Sequence, residues 1–213
     1  MKKGFSKMFR WLFIGLLITF ATGYLVSAYP IALAKIFSGT SYIIMIIVEF
    51  AIAIFFSARL SKMSVTTAKI CYILYSVITG FTFGLIFLVY DLMSIISVFL
   101  ATSLVFGIFS FIGYNTKKNL SKMSMWLFMS LIAVMIVSVV NIFLKSSMLE
   151  LGISILFIVI FLGYVVFDMK NAESLMEYVG EEKGAIYGAF QLYLDFINLF
   201  IELLRFLGKL KDD

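Results

Sequence analysis

Histidine is absent from this 213-residue chain, which contains a single cysteine, Cys71, and a single proline, Pro30. Without histidine, the chain has no imidazole metal ligand, no His-based catalytic triad and no side chain that ordinarily titrates near neutral pH. One cysteine excludes an intrachain disulfide and a thiolate metal cluster. Any proton-dependent behaviour must therefore come from carboxyl groups.

Charged residues are also scarce, at 14%, whereas hydrophobic residues make up 63% and the mean hydropathy is +1.10. These values lie well outside the range of a soluble globular domain. The net charge of +5 comes from basic residues in short clusters between apolar runs, a pattern that reflects membrane topology and not nucleic-acid binding. The lipid bilayer is therefore the expected partner, and neither a nucleic acid nor a bound cofactor is expected.

Seven apolar segments predict an all-α integral membrane protein with seven transmembrane helices. Each is close to the ~17–25 residues that cross ~30 Å of hydrocarbon. A tight turn is expected at Tyr90–Asp91, the only polar interruption of a long apolar run. Without a linker, residues 1–213 are predicted to form one membrane domain, and Glu173, Glu177 and Glu181 predict a solvated helix extension. The segments are residues 11–29, 41–58, 70–90, 92–114, 125–144, 151–167 and 184–208.

Basic residues concentrate before the first segment and in alternate loops, and the positive-inside rule then places the N-terminus in the cytoplasm. We therefore expect a multi-pass protein of the plasma membrane. A seventh span leaves the C-terminus outside, and a re-entrant last segment is the alternative. The basic residues of these regions are Lys2, Lys3, Lys7, Arg10, Arg59, Lys62, Lys69, Lys117, Lys118, Lys122, Lys170 and Lys183.

The last segment carries a stripe of polar side chains. Its members recur at steps of four, three, four and three, and so fall within an arc of roughly 80° on a helix. A charge at membrane depth costs at least ~2.5–3.5 kcal/mol, so such residues face a bundle interior or a wet cavity and mark ion or proton pathways. The stripe consists of Gln191, Asp195, Asn198, Glu202 and Arg205.

Two further interpretations of these polar residues stay open. Glu202 and Arg205 are three residues apart, so they either line the path or neutralise each other. Glu49 lies near the middle of the second segment, where it either lines a pore or serves as a fixed hydrogen-bond anchor. Gly80 and Gly84, four residues apart, predict close helix packing.

Asp168 and Arg59 end the sixth and second segments, so both are expected at the cytoplasmic side, where they could form an ion pair. Asp195 is up to ~16 Å deep if its helix enters the membrane at Gly184. The two aspartates meet only if that helix tilts or its first turns project beyond the hydrocarbon. If they meet, they would share a proton and titrate as a coupled unit, and without the proton they would form a weak Ca²⁺ site.

Three stretches of the chain resemble the transmembrane Bax-inhibitor-motif family, especially its bacterial members. LYLDFINLFIELLRFLG (Leu192–Gly208) is similar to the C-terminal helix of that family almost residue for residue. GYVVFDMK (Gly163–Lys170) resembles the end of its sixth helix, and Ala101–Met123 resembles its fourth helix and following loop. Glu49 and Arg59 fall where bacterial relatives carry a glutamate and an arginine on helix two.

The resemblance implies a pH-sensitive calcium leak channel with seven helices, the last enclosed by the other six. It further implies that Asp168 and Asp195 form a pair that senses protons and binds Ca²⁺, and that Arg59 latches the closed state. Ca²⁺ would then be the permeant or regulatory ion, and the protein is not expected to be an enzyme.

Other functional classes compete with the channel. A proton-coupled transporter and a non-conducting membrane scaffold both fit the composition, although no pair of segments is interrupted by Gly or Pro at matching positions. An intramembrane aspartyl protease also needs two aspartates on neighbouring helices. Here they occur in VVFD and LYLD, and not in the Y-D and G-x-G-D patterns that such enzymes use.

Overall fold

The computed structural model describes residues 2–38, 40–59 and 62–212, which form eight α-helices and contain no strand. The all-helical class predicted from the sequence is therefore confirmed for this part of the chain. The helices are α1 (Lys2–Ser27), α2 (Pro30–Ile36), α3 (Thr40–Arg59), α4 (Val65–Val89), α5 (Leu92–Asn115), α6 (Ser121–Leu144), α7 (Ser147–Val179) and α8 (Glu181–Asp212).

Five of the described helices, α1 and α4 to α7, are long and apolar enough to cross a membrane. Helix α6 exposes most of its large apolar side chains, among them Trp126, Ile136 and Phe143, as expected where the solvent is lipid. These helices support an integral membrane protein. The count of seven spans is not confirmed, because the described chain forms eight helices, of which these five have the required length and composition.

The short helix α2 is the element that hydrophobic runs did not predict. Pro30 begins it at the first helical position, where a missing N–H costs nothing and the fixed φ favours the helix. The predicted turn at Tyr90–Asp91 is confirmed, since α4 ends at Val89 and α5 begins at Leu92.

Helix α7 continues to Val179, twelve residues beyond the predicted end of the sixth segment at Phe167. Gly180 then separates α7 from α8 with φ +91°, a left-handed conformation that favours glycine. The predicted helix extension is therefore right for Glu173 and Glu177. It is wrong for Glu181, which begins α8.

The chain divides into two compact units, which leaves the single domain of residues 1–213 a prediction. Unit 1 comprises Met1–Leu92 and Ala172–Tyr193, and unit 2 comprises Met93–Asn171 and Leu194–Asp213. Helices α7 and α8 each contribute residues to both units.

In unit 1, α1 and α4 pack closely through glycines, as Gly80 and Gly84 predicted. A Cβ atom on Gly80 would lie 2.5 Å from Thr22 Cβ and 2.9 Å from the carbonyl oxygen of Thr19. On the facing helix, a Cβ on Gly15 would lie 2.1 Å from the Tyr72 hydroxyl. The absence of side chains at these points allows the two helices to approach each other.

Two exposed ion pairs join the beginning of α8 to other helices of unit 1. Lys7 Nζ lies 2.7 Å from Glu181 Oε1, and the Lys69 ammonium donates to Glu182 Oε1. The hydrogen bonds from these ammonium groups, together with their charge, lower the pKa of Glu181 and Glu182. Because a lowered carboxyl pKa favours the folded state only while the group is ionised, this contribution is present at neutral pH and is lost in acid.

In unit 2, α7 packs against both α5 and α6. A Cβ on Gly113 of α5 would lie 2.6 Å from the carbonyl oxygen of Val166, so the two backbones are in direct contact. Helix α6 contacts the other side through a buried cluster of Val134, Ile153, Phe157 and Ile160. These contacts fix α7, which carries Asp168.

Helix α8 is enclosed in both units, and no residue of 183–206 is exposed. In unit 1, Phe190 packs edge-on against Phe56 and Tyr75, with ring centroids 4.5 and 5.1 Å apart. In unit 2, the ring of Phe196 lies 5.4 Å from those of Phe99 and Phe106. The polar stripe of α8 is therefore largely held inside protein, except for Arg205, whose side chain is 40% exposed.

The two glycines of α5 provide a matched test of this packing. Gly113→Ala places a methyl group against the α7 backbone, so we expect it to lower the unfolding free energy by about 1–3 kcal/mol. Gly107 has no neighbour within 4 Å, and Gly107→Ala is expected to be neutral or to stabilise by up to about 1 kcal/mol through helix propensity. Denaturant unfolding of both variants in detergent measures the difference, and equal effects would contradict the packing described here.

Candidate functional site

The antiparallel helices α7 and α8 bring two aspartates together in unit 2. Asp168 lies 11 residues before the end of α7 at Val179, and Asp195 lies 14 residues after the beginning of α8 at Glu181. At 1.5 Å per residue, these positions are about 16 and 21 Å from the ends that Gly180 connects. Because α7 continues beyond Phe167 and α8 begins before Gly184, the two aspartates lie at similar distances along their helices from the Gly180 connection.

The carboxyl groups of Asp168 and Asp195 are hydrogen-bonding partners and are almost completely buried, at 8% and 5% exposure. Neither carboxylate has a proton to donate when ionised, so a hydrogen bond between them requires one shared proton. The second oxygen of Asp195, Oδ2, is enclosed and has no hydrogen-bond partner among the described residues. Asp195 Oδ2 is thus a buried hydrogen-bond acceptor without a donor among the described residues.

The surroundings of the pair are apolar apart from one phenol. Val165 and Met169 flank Asp168 on α7 and are fully or almost fully buried. Tyr164, one helical turn before Asp168, lies within electrostatic range of both carboxyl groups. Within the described part of unit 2, no Lys or Arg is a partner of either aspartate. A shared proton would therefore remove one of the two negative charges of the pair, with no Lys or Arg to compensate for the other among these partners.

The pair alone is a sparse ligand set for Ca²⁺. No three acidic or thiol side chains converge on a metal position in the described chain. Ca²⁺ takes six to eight oxygens, so two carboxyl groups would need water or carbonyl oxygens to complete the shell. This chemistry suits weak and reversible binding.

The other members of the α8 stripe have separate partners. In unit 1, Gln191 accepts a long hydrogen bond of 3.4 Å from Ser57. In unit 2, the Asn198 amide donates to the carbonyl of Leu194, one turn back on its own helix, at 2.8 Å. The stripe is therefore not a continuous hydrogen-bonded chain.

Glu202 and Arg205 form an ion pair of 2.9 Å, as one of the two interpretations predicted. Ser154 of α7 lies near Glu202, but neither its hydroxyl nor Glu202 Oε2 has a hydrogen-bond partner of good geometry among the described residues. Glu150 accepts from Lys209 at 3.0 Å nearby in unit 2. Charges at this end of α8 are thus largely compensated by one another.

The two candidate residues of α3 lie in unit 1. Glu49 is half-buried and accepts a hydrogen bond from Thr82 at 3.3 Å, and its two proposed roles, pore-lining residue or hydrogen-bond anchor, both stay predictions. Arg59 is exposed, and its guanidinium lies 6.0 Å from the centre of the Phe55 ring. The role of Arg59 as a latch on Asp168 stays a prediction.

The sequence patterns did not reveal the neutral hydroxyl groups that lie close to the buried carboxyl groups. Tyr164 is at position i−4 from Asp168, a spacing that places the two side chains on one face and was available as a signal. Thr79 and Tyr193, which lie near Glu49 in unit 1, had no comparable signal. Threonine and tyrosine are common in apolar helices, so only packing reveals their partners.

A double-mutant cycle tests the contact between the aspartates. Asp168→Asn and Asp195→Asn together are expected to show a coupling energy of about 0.5–3 kcal/mol, because the two groups share one hydrogen bond. Asp195→Asn with Glu202→Gln is the control, since seven residues of helix separate these side chains by about 10.5 Å. That pair should be additive within about 0.5 kcal/mol in unfolding experiments. Additivity in both cycles would contradict a shared proton.

Comparison with known proteins places this site in a family. Residues 1–212 match the family model described as inhibitor of apoptosis-promoting Bax1. A Borreliella burgdorferi protein is 38% identical over 99% of this chain and 94% of its own length. The inner membrane protein YbhL of Escherichia coli is 34% identical, over 95% and 90%. A Streptococcus pyogenes membrane protein is 32% identical, over 74% and 70%. The chain therefore belongs to the Bax inhibitor family of membrane proteins.

Proposed function

We propose that this protein is a pH-sensitive calcium leak channel, gated by protonation of Asp168 and Asp195. The observation that carries the proposal is the buried hydrogen-bonded pair of carboxyl groups on α7 and α8. In the protonated state the pair holds the two helices together. Loss of the proton leaves two like charges in a low-dielectric site, and their repulsion favours an open arrangement.

Calcium is the proposed ion because carboxylate oxygens are hard ligands. Conduction requires a site that attracts the ion and also releases it. Two carboxylates without further acidic ligands satisfy both conditions better than a complete calcium cage would. The ion is thus a permeant or regulatory species and not a structural cofactor, and the activity is transport and not catalysis.

The proposed topology has seven spans, with α8 innermost and the N-terminus in the cytoplasm. The basic residues before the first segment and in alternate loops support this orientation. YbhL is named as an inner membrane protein, which supports a multi-pass location in the plasma membrane here. In this topology Asp168 and Asp195 are closer to the cytoplasmic side than the Glu202–Arg205 pair.

Asp195→Asn is expected to change the pH dependence of calcium flux. The amide cannot ionise, so the repulsion that opens the pair is lost, and flux should no longer rise between acidic and neutral pH. Purified protein in liposomes loaded with a calcium dye measures this at pH 5 to 8. Glu177→Gln, which removes an exposed carboxyl group of α7, is the control and should behave as the unaltered protein.

The outcomes of this experiment also separate the alternatives. No flux at any pH would exclude the channel and favour a scaffold, whereas flux that requires a proton gradient would indicate a coupled transporter. Cleavage of a membrane peptide by the unaltered protein, lost in Asp168→Ala, would instead support a protease.

Arg59→Ala tests the proposed latch. An arginine paired with an ionised Asp168 would hold the closed state, so its removal should raise the leak by roughly tenfold if the pair contributes about 1.4 kcal/mol. Arg59→Lys keeps the charge and should retain part of the closure. An unchanged leak in Arg59→Ala would remove this residue from the mechanism while leaving the aspartate pair intact.

A further inference from the structure

A second cluster of buried oxygen atoms lies around Glu49 in unit 1. Thr82 of α4 donates to Glu49 Oε2 at 3.3 Å, and the side chain of Thr79 lies close to the same carboxyl group. Thr82 Oγ1 also lies 2.7 Å from the carbonyl oxygen of Thr79. Since a hydroxyl has one proton, Glu49 shares that proton with a nearer acceptor.

The phenol of Tyr193 adds an oxygen to this cluster, and its proton is already donated in another hydrogen bond. Thr19 Oγ1 donates to the carbonyl of Ser76 at 2.9 Å, because a carbonyl can only accept. The 2.6 Å hydrogen bond between Thr19 and Tyr193 must therefore use the tyrosine proton. This leaves the lone pairs of the Tyr193 oxygen available, within electrostatic range of Glu49.

Thr79 lies at the centre of the cluster with its hydroxyl unsatisfied. It is 2% exposed and adjacent to Glu49, Tyr75 and Tyr193, yet its Oγ1 atom makes no hydrogen bond of good geometry. Buried hydroxyl groups normally have a partner, because an unpaired one loses its hydration without compensation. A buried hydroxyl that is close to three other oxygens, yet makes no hydrogen bond of good geometry with them, points to an occupant between these oxygens.

The charge of the cluster favours a cation as that occupant. Among the described residues, the partners of Glu49 include no Lys or Arg, and the groups that face it from α4 and α8 are neutral hydroxyls. One monovalent cation makes the cluster neutral, whereas a divalent ion would leave a buried positive charge. Five side-chain oxygen groups, with one negative charge, therefore fit a small hard monovalent ion.

We propose that Glu49 and the hydroxyl oxygens of Thr79, Thr82, Tyr75 and Tyr193 form a binding site for Na⁺. All five residues belong to unit 1, whereas Asp168 and Asp195 belong to unit 2. The site therefore does not depend on the proposed calcium flux, and the two functions fail or succeed separately.

Thermal unfolding of the purified protein in detergent tests the proposal without a flux measurement. NaCl should raise Tm above the value in choline chloride of equal ionic strength, because an ion that binds only the folded state stabilises it. Glu49→Gln should weaken the apparent Na⁺ affinity at least about tenfold, since it removes one partner of a buried charge pair.

Glu177→Gln removes an exposed carboxyl group of the same chain and should retain the full sodium effect. If Glu49→Gln does not fold, the same unfolding experiment is done with Tyr75→Phe. That variant deletes one ligand oxygen and should reduce the Na⁺ affinity several-fold. Equal Tm in sodium and choline at every pH, or a sodium effect retained in these variants, would overturn the site. The central occupant would then be a water molecule.

Discussion

The structure depends on one constraint, which is that a carboxyl group inside an apolar helix bundle has to be neutralised by something nearby. In unit 2, Asp168 and Asp195 reduce this cost by hydrogen bonding to each other, which requires that one of the two carboxyl groups carries a proton. Glu202 meets it differently, through the ion pair with Arg205 on the next turn of α8. The same physical cost is thus met in two ways along α8, by a second carboxyl group at Asp195 and by an arginine at Glu202.

The packing of α8 explains why this constraint is strict. Its residues from 183 to 206 are all at least partly buried, and aromatic rings surround it in both units. Water has little access to Asp195, so hydration cannot compensate for its charge. Close approach of α5 and α7 at Gly113 fixes the helix that carries Asp168. The two aspartates are therefore surrounded by closely packed helices.

Much of the fold followed from hydrophobic runs and spacing. The stripe on the last helix drew attention to Asp195, and the tight turn at Tyr90–Asp91 was located because an apolar run was too long for one span. The runs did not reveal α2, whose seven residues are too few to cross a membrane. They also gave the wrong end for α7, because charged residues beyond Phe167 continue the helix outside the apolar segment.

The sequence by itself determined the membrane class, the family resemblance and the residues that carry charge at depth, since all three depend on residue type and spacing along one helix. Only the tertiary structure decided which of these residues are partners. Asp168 and Asp195 are 27 positions apart, and their contact depends on where α7 ends and α8 begins. The cluster around Glu49 combines residues of α1, α3, α4 and α8. Neutral hydroxyl groups do not alter a hydrophobic pattern, so only the packing shows which groups they neighbour.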